Sequence, residues 1–469
     1  MSELFLTNAF VFQPDETTRI ETSHRRIVTP LPAPECIGEL QAAANLFPQV
    51  NCYQPPIVWD RAEGYQVFDK AGNCWIDFTS TAVTTNTGHA HPDIRKALVQ
   101  HAESELLAQF SFASEIRVKL ARRLIEMAPP GCEKVYFWTV GSEAIEASLR
   151  LAREWGMKQH TQKYHILTHR GDYHGWTLGA HQLSGDSAEK PWLKFPDQAI
   201  HHLPFPRNTI NGDDDTQVDW NSFFEQTVAE LSESGITPDR VAAVFIETMQ
   251  GWGALPLPVL YMQRLRRWAD EHDILLIFDE IQTGFGRTGA MFGHEHYGVT
   301  ADMICIGKGL TSSLPLAAVL GPANVLDVLP PGEIATTHAA HPLSCAAALA
   351  NLDLLHSENL IEESARKGNV VREELCKLKE RFPNYISEIS GLGLLVAIHV
   401  RDPQTGHPSP KWARDWIWEA VKQGVMLFQT NKPTLKVCPP LTIPDAALLE
   451  GISTLGDALD TLLNSKRPE

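Results

Sequence analysis

None of the eight cysteines in this 469-residue chain forms a C-x-x-C pair; Cys36, Cys52, Cys74, Cys132, Cys305, Cys345, Cys376 and Cys438 are scattered. That spacing disfavours a zinc ribbon and a disulfide framework, and it fits a reducing cytoplasm. Positive charge is also scarce: 40 Lys and Arg stand against 57 Asp and Glu, a formal −17. Duplex binding needs a net basic face to displace counterions, so nucleic acid is excluded as a partner, although a local pocket for one phosphate is not. No apolar run approaches the roughly 20 residues that cross a bilayer, so no membrane partner is expected. The opening "MSELFLTNAFVFQPDETTRIE" lacks the basic region and apolar stretch of a secretory signal. Internal repeats and low-complexity tracts are missing too.

What is present is an ordinary globular composition, 43% hydrophobic and 21% charged, in a chain too long for one small core. Residues from Met1 to about Pro56 read as an extended arm with one short helix, of the kind that wraps a partner subunit. In "GYQVFDKAGNCWIDFTS" two alternating apolar runs flank Asp69–Gly72, a hairpin signal with Gly72 in the turn. From Pro92 onward, helical stretches such as "IEASLRLAREWG" alternate with the short runs "KVYFW", "HILTH", "VAAVFIE", "ILLIFDE", "DMICIG" and "LAAVLG". Strands alternating with such helices predict βαβ units and a mostly parallel sheet buried on both faces. After about Ala346, long helices mixed with "GLLVAIHV", "GVMLFQ" and "TLKVCPP" predict a smaller α+β lobe. The expected division is 1–91 for the arm and part of a small domain, 92–345 for a large domain, and 346–469 for the rest of the small one.

In a parallel sheet the ligand site lies at the carboxyl ends of the strands. The residues there are Lys308 after "DMICIG", Asp279 after "ILLIF", Glu247 after "VAAVFI", Gly141–Ser142 after "KVYFW", and Tyr173–His174 after "HILTH". Singly, each has an ordinary explanation. Gly141–Ser142 can be a helix start capped by Ser142, Asp279 a cap or a surface ion pair, and Tyr173 and His174 core aromatics. Lys308, between Gly307 and Gly309, is harder to dismiss. It is not a phosphate-loop lysine, because that motif needs glycine at 302 and Ser or Thr at 309, where the chain has Asp302 and Gly309. A Schiff-base lysine set against a flat aldehyde cofactor explains both the strand and the glycines. Together the residues suit pyridoxal phosphate, which needs a lysine, an anion site at a helix start, an aromatic slab and a carboxylate on the ring nitrogen.

With "NTGHAHPDIRKAL", "GSEAIEASLRLAR", "YHG", "LLIFDEIQTGFGRTG", "ICIGKGL", "HPLSCAAALA" and "CPPLTI", the sequence resembles the class III aminotransferases. These are the ω-aminotransferase family of fold-type I pyridoxal-phosphate enzymes. The resemblance implies a large domain with a mostly parallel sheet and a smaller α+β domain. It implies that Lys308 binds the cofactor aldehyde and shuttles the proton, and that Asp279 holds the pyridine nitrogen while Gln282 contacts the ring hydroxyl. Tyr173 would cover the ring with His174 beside it, Gly141 and Ser142 would hold the phosphate, and Glu247 matches the family's strand-end glutamate. Thr337 matches a threonine that reaches the neighbouring subunit's phosphate, which implies a homodimer.

The chain departs from the family pattern at Val140, His341, Trp252 and Lys436; the last two replace a glutamate and a carboxylate-binding arginine. Lysine lacks the two-pronged grip of arginine, so an amine, a polyamine or an unusual acid becomes the expected donor. Trp59 and Trp252 are candidates for the substrate wall, and core or interface packing explains them equally well.

The implied reaction is ping-pong transfer of an amino group from an amine or (ω-)amino acid to a 2-oxo acid, pyruvate or 2-oxoglutarate. An amino acid racemase or epimerase, or a β-eliminating lyase, shares the cofactor and stays open. A nicotinamide dehydrogenase is rejected for want of G-x-G-x-x-G after the first strand, and a non-catalytic binding module would have no use for Lys308.

Overall fold

The computed structural model describes residues 12–48, 50, 53–185, 190–207 and 218–465; residues 1–11 of the expected arm, and Cys52, lie outside these. The chain divides into two compact units, Pro92–Ser364, and Met1–His91 with Ala365–Glu469.

The larger unit is built on seven strands: β1 (Lys134–Trp138), β2 (His165–His169), β3 (Ile200–Leu203), β4 (Val241–Glu247), β5 (Leu275–Asp279), β6 (Met303–Ile306) and β7 (Ala317–Gly321). Their order across the sheet is β1-β7-β6-β5-β4-β2-β3. The neighbours β6, β5, β4, β2 and β3 run parallel, whereas β7 is antiparallel to both β6 and β1. Strands β2, β4, β5, β6 and β7 are buried along their whole length, as continuous β-branched and apolar runs require when helices cover both faces. Strand β3 was not foreseen, because two histidines break the apolar run of "IHHL" and the strand sits at the sheet edge.

Helix α1 (Gly141–Gln159) buries Ala144, Ile145, Ser148, Leu149 and Ala152, the face expected from their spacing. They pack on Phe245, Ile277, Met303 and Val319 of the sheet. Burying each large aliphatic side chain there contributes about 1.5–3 kcal/mol. The helix reaches the sheet closely at Gly156, where a Cβ would lie 2.2 Å from the carbonyl oxygen of Lys163. Its start corrects one expectation: the N-cap is Val140, not Ser142. The Glu143 carboxylate turns back to accept from the amides of Thr139, at 2.9 Å, and Val140, at 3.3 Å.

The division between units falls at 364/365 rather than at 345/346. Helix α2 (Pro342–Ser357) packs against Pro92–Glu103 and Glu115–Met127, burying Ala347 and Leu354 with Ile94, which keeps it in the larger unit.

In the smaller unit the arm is not free. Ile20–Glu21 pairs with Arg26–Ile27, and Arg26 pairs with Cys74 of the predicted hairpin Gln66–Phe68/Cys74–Asp77. Gly72 makes the hairpin turn with φ +91°. Val425–Met426 lies parallel to Cys74–Asp77, and Trp75 donates its indole N–H to Val421 O at 2.8 Å. A second sheet joins Ile386–Leu392, Leu395–Val400 and Thr434–Val437. Ser80, Thr81, Ala82 and Val83 follow one another at φ +44°, +53°, +58° and +67°, a left-handed turn made without glycine.

Candidate active site

Strand register brings the chemistry together. Asp279 is paired with Glu247 on one side and with Cys305 on the other, so β4, β5 and β6 end side by side. Alternation along the chain then sends consecutive acids to different places. Glu280 accepts from the amides of Gly293 and His294, both at 2.8 Å, and serves the scaffold. Asp279 accepts from the Ile281 amide at 3.0 Å and meets His174 Nδ1 at 2.9 Å.

Glu247 is bound at both oxygens by backbone N–H groups, from Tyr173 at 2.7 Å and Gly251 at 3.1 Å. A Cβ on Gly251 would lie 2.8 Å from Glu247 Oε1 and 2.9 Å from Gln282 Oε1, so this backbone runs between the two side chains. Gly175, at φ +136°, leaves room for Ser142: a Cβ there would be 2.2 Å from the Ser142 hydroxyl. A Cβ on Gly141 would stand 2.8 Å from Ile281, two residues past Asp279. Gly141, Ser142, Tyr173, His174, Glu247, Asp279 and Gln282 thus form one connected group.

Lys308 follows β6 and opens the short turn Lys308–Leu310. Its φ of +41° is left-handed, a conformation that costs a β-carbon residue roughly 1–3 kcal/mol and persists where the surroundings hold it. Asn351 of α2 supplies that hold, donating to the carbonyls of Gly309 at 2.8 Å and Leu310 at 3.1 Å. Gly307 is extended, and a Cβ on it would only touch Ile281 at 3.4 Å, so its protein neighbours do not require glycine.

Burial sets the charges. Glu247 is pushed up to about 7, first by burial and then by the nearby Asp279. Asp172 is held well above the carboxylate range by burial and by Glu247. His169 is driven down to about 3 by burial, with His174 adding to the effect. Asp172 escaped the sequence reading although it directly precedes Tyr173 in "GDYHG"; an acid in front of a strand-end aromatic pair was the available signal.

The remaining candidates, Thr337, Trp252, Trp59 and Lys436, have the following neighbours. Thr337 is exposed, and its neighbour Thr336 meets the Thr139 hydroxyl at 3.4 Å. The Trp252 indole N–H donates to Gly171 O at 3.0 Å. Trp59 and Lys436 belong to the smaller unit. Trp59 stands edge-on to His89, with ring centroids 6.0 Å apart, and Lys436 is buried with its ammonium 5.6 Å from the Phe428 ring centroid. Among the described residues no cluster of His, Cys, Asp and Glu is fit to hold a metal, and no helix is long and apolar enough to cross a membrane.

A family profile described as aminotransferase class-III matches residues 49–459. The ornithine aminotransferase of Saccharomyces cerevisiae is 31% identical over 89% of this chain and 96% of its own length. The isoleucine 2-epimerase of Lentilactobacillus buchneri is 31% identical over 92% of this chain and 97% of its own. An amine transaminase from an uncultivated Pseudomonas species, solved in a PLP-bound form, superposes with a TM-score of 0.79 at 28% identity, covering 86% of this chain and 94% of that one.

Proposed function

The chain belongs to the class-III aminotransferase family, and from that premise we propose how its own residues serve the reaction and which donors it takes. The protein is a pyridoxal-phosphate-dependent transaminase that moves an amino group from a donor to a 2-oxo acid. When bound, the cofactor supplies an aldehyde carbon to receive the amino group and a ring that withdraws electrons from the donor carbon.

The residues present fit that group. Asp279 offers a buried carboxylate with His174 behind it, suited to a protonated ring nitrogen. Ser142, in the first turn of α1, offers a hydroxyl beside backbone N–H groups, which suits a phosphate. Tyr173 would cover the ring, Gln282 would meet the ring hydroxyl, and Glu247 would stand at the ring's edge. The Lys308 amine would hold the cofactor until a donor amine displaces it, then carry a proton off the donor carbon and return it one position away. The observation that carries this reading is the in-register ending of β4, β5 and β6, which sets Asp279 between Glu247 and the strand leading to Lys308.

The donor is an amine or an ω-amino acid, and the acceptor is pyruvate or 2-oxoglutarate. Lys436 supports this: its buried ammonium lies over Phe428, a poorer grip on an α-carboxylate than a forked arginine. Trp59 and Trp252 are proposed to contact the donor. The working form is a homodimer in which Thr337 reaches the neighbouring site. In support, the exposed Leu106, Leu107, Phe110 and Phe112 adjoin the Thr337 segment, where Arg117 donates to Phe112 O at 2.9 Å and Ala339 O at 2.5 Å. We place the protein in the cytoplasm, in keeping with its unpaired described thiols.

The test is borohydride reduction with peptide mapping, expected to label Lys308, followed by a screen of amines and amino acids against both oxo acids. Amino transfer that requires the oxo acid is the expected result. Inversion of an α-amino acid without any oxo acid would instead make the protein an epimerase, like its Lentilactobacillus relative.

A further inference from the structure

Behind Asp279 lies a chain of buried groups that the proposed reaction does not use. His174 Nδ1 meets Asp279 at 2.9 Å, and its Nε2 faces the Thr168 hydroxyl at 3.3 Å and Asp172 Oδ2 at 3.9 Å. The same Asp172 oxygen accepts from the Glu247 amide at 3.2 Å and lies 3.9 Å from His169 Nδ1. His169 Nε2 in turn meets the Tyr261 hydroxyl at 2.8 Å. Asp172 Oδ1 and His169 Nδ1 are buried without a hydrogen-bond partner. The side chains of His169, Asp172 and His174 are wholly buried.

We propose that Asp172 is a positioning residue for the cofactor's ring-nitrogen partner: with His174 it holds one exchangeable proton behind Asp279, and that proton sets the charge Asp279 presents to the ring. The inference rests on the reading of Asp279 given above.

The argument runs through donors and acceptors. Asp279 already accepts from Ile281, and its other oxygen takes the His174 Nδ1 proton, which leaves Nε2 as the basic nitrogen of a neutral imidazole. An ionised Asp172 would have the Glu247 amide as its hydrogen-bond donor and an unpartnered oxygen, a costly state for a buried charge. A protonated Asp172 needs an acceptor, and His174 Nε2 stands 3.9 Å from its Oδ2. With the proton on Asp172, Asp279 keeps its full negative charge. With the proton on Nε2, an imidazolium shares that charge and loosens the hold on a protonated ring nitrogen. The other groups near the pair are His169 on β2, Glu247 on β4, Cys305 on β6 and Tyr261 on the helix Val259–Glu271 between β4 and β5. Burial keeps His169 neutral and raises Cys305 and Tyr261, so of these neighbours Glu247, pushed up to about 7, is the one held near neutrality.

Asp172→Asn keeps the shape and the acceptor for the Glu247 amide but removes the exchangeable proton, so a purely structural role would survive it. The experiment is a pH titration of the visible absorbance of the pyridoxal-phosphate-loaded protein, wild type against Asp172→Asn, with Asp172→Ser in reserve should the first variant fail to fold. The variant is expected to stay fully loaded and to lose one ionisation step from the profile. Identical profiles would overturn the proposal. Asp279→Ala, run alongside, separates the two levels: if it keeps the cofactor with an unaltered spectrum, the underlying reading of the site fails instead.

Discussion

Asp279 and Glu247 stand opposite each other on adjacent parallel strands, both buried, with the His174 imidazole against the first and the Tyr173 amide against the second. Two acids this close cannot both ionise freely in a dry interior. Their surroundings differ: Asp279 has the imidazole and the Ile281 amide, whereas Glu247 has two amides and is pushed up to about 7 by burial and by Asp279.

Lys308→Ala is expected to retain bound cofactor through the other proposed contacts, and to lose transamination by about 10³-fold or more, because the amine proposed to move the proton is gone. Cofactor content by absorbance and turnover with the best donor give the two numbers. Turnover near wild type would remove Lys308 from its role.

Gly175→Ala forces a Cβ to within 2.2 Å of the Ser142 hydroxyl at a φ of +136°. Ser142 must move, and pyridoxal phosphate should bind about tenfold more weakly or worse. Gly72→Ala is the control, since its φ is also positive but its Cβ would meet Val28 only at 3.9 Å. It should cost stability and leave cofactor affinity alone. Fluorescence titration with pyridoxal phosphate decides between the two.

Glu247 makes stability depend on pH. Its ordinary value is 4.5, raised to about 7 in the fold, so between these values the folded protein keeps a proton that the unfolded chain has released. Stability from this group is therefore full below about 4.5, falls as pH rises to about 7 and is level above that. The loss is on the order of a few kcal/mol. Melting of the cofactor-free protein at several pH values should show this slope in wild type and a flatter one in Glu247→Gln. Equal slopes would count against the assignment.

The left-handed turn at Ser80–Val83 carries strain that glycine would relieve. Thr81 is exposed, at φ +53°, so Thr81→Gly loses little packing and is expected to stabilise the protein by roughly 1 kcal/mol after glycine's entropic cost. A urea denaturation midpoint that falls would contradict this.

The sheet was legible from sequence because its strands are short β-branched runs bounded by helices, and strand ends in such a sheet converge. That is why Lys308, Asp279 and Glu247 could be named together. What escaped notice depends on tertiary neighbours. Strand β3 is an edge with two histidines, the reversal of β7 leaves no mark in its own residues, and the place of α2 is decided by Ile94 far upstream. Val140 took the cap from Ser142 because the Glu143 side chain folded back onto it, a local contest that residue type alone does not settle. Asp172 looks like a loop acid until β4 brings Glu247 over it.

The smaller unit is assembled from both ends of the chain, with Cys74–Asp77 waiting for Val425–Met426 across the whole of the larger one. During synthesis the larger unit can therefore reach its final form, strand ends included, while the amino-terminal hairpins still lack their last strand. The ribosome must deliver nearly the full length before that gap closes, so chains truncated late should expose Trp75 and its neighbours to chaperones although the larger unit is already built.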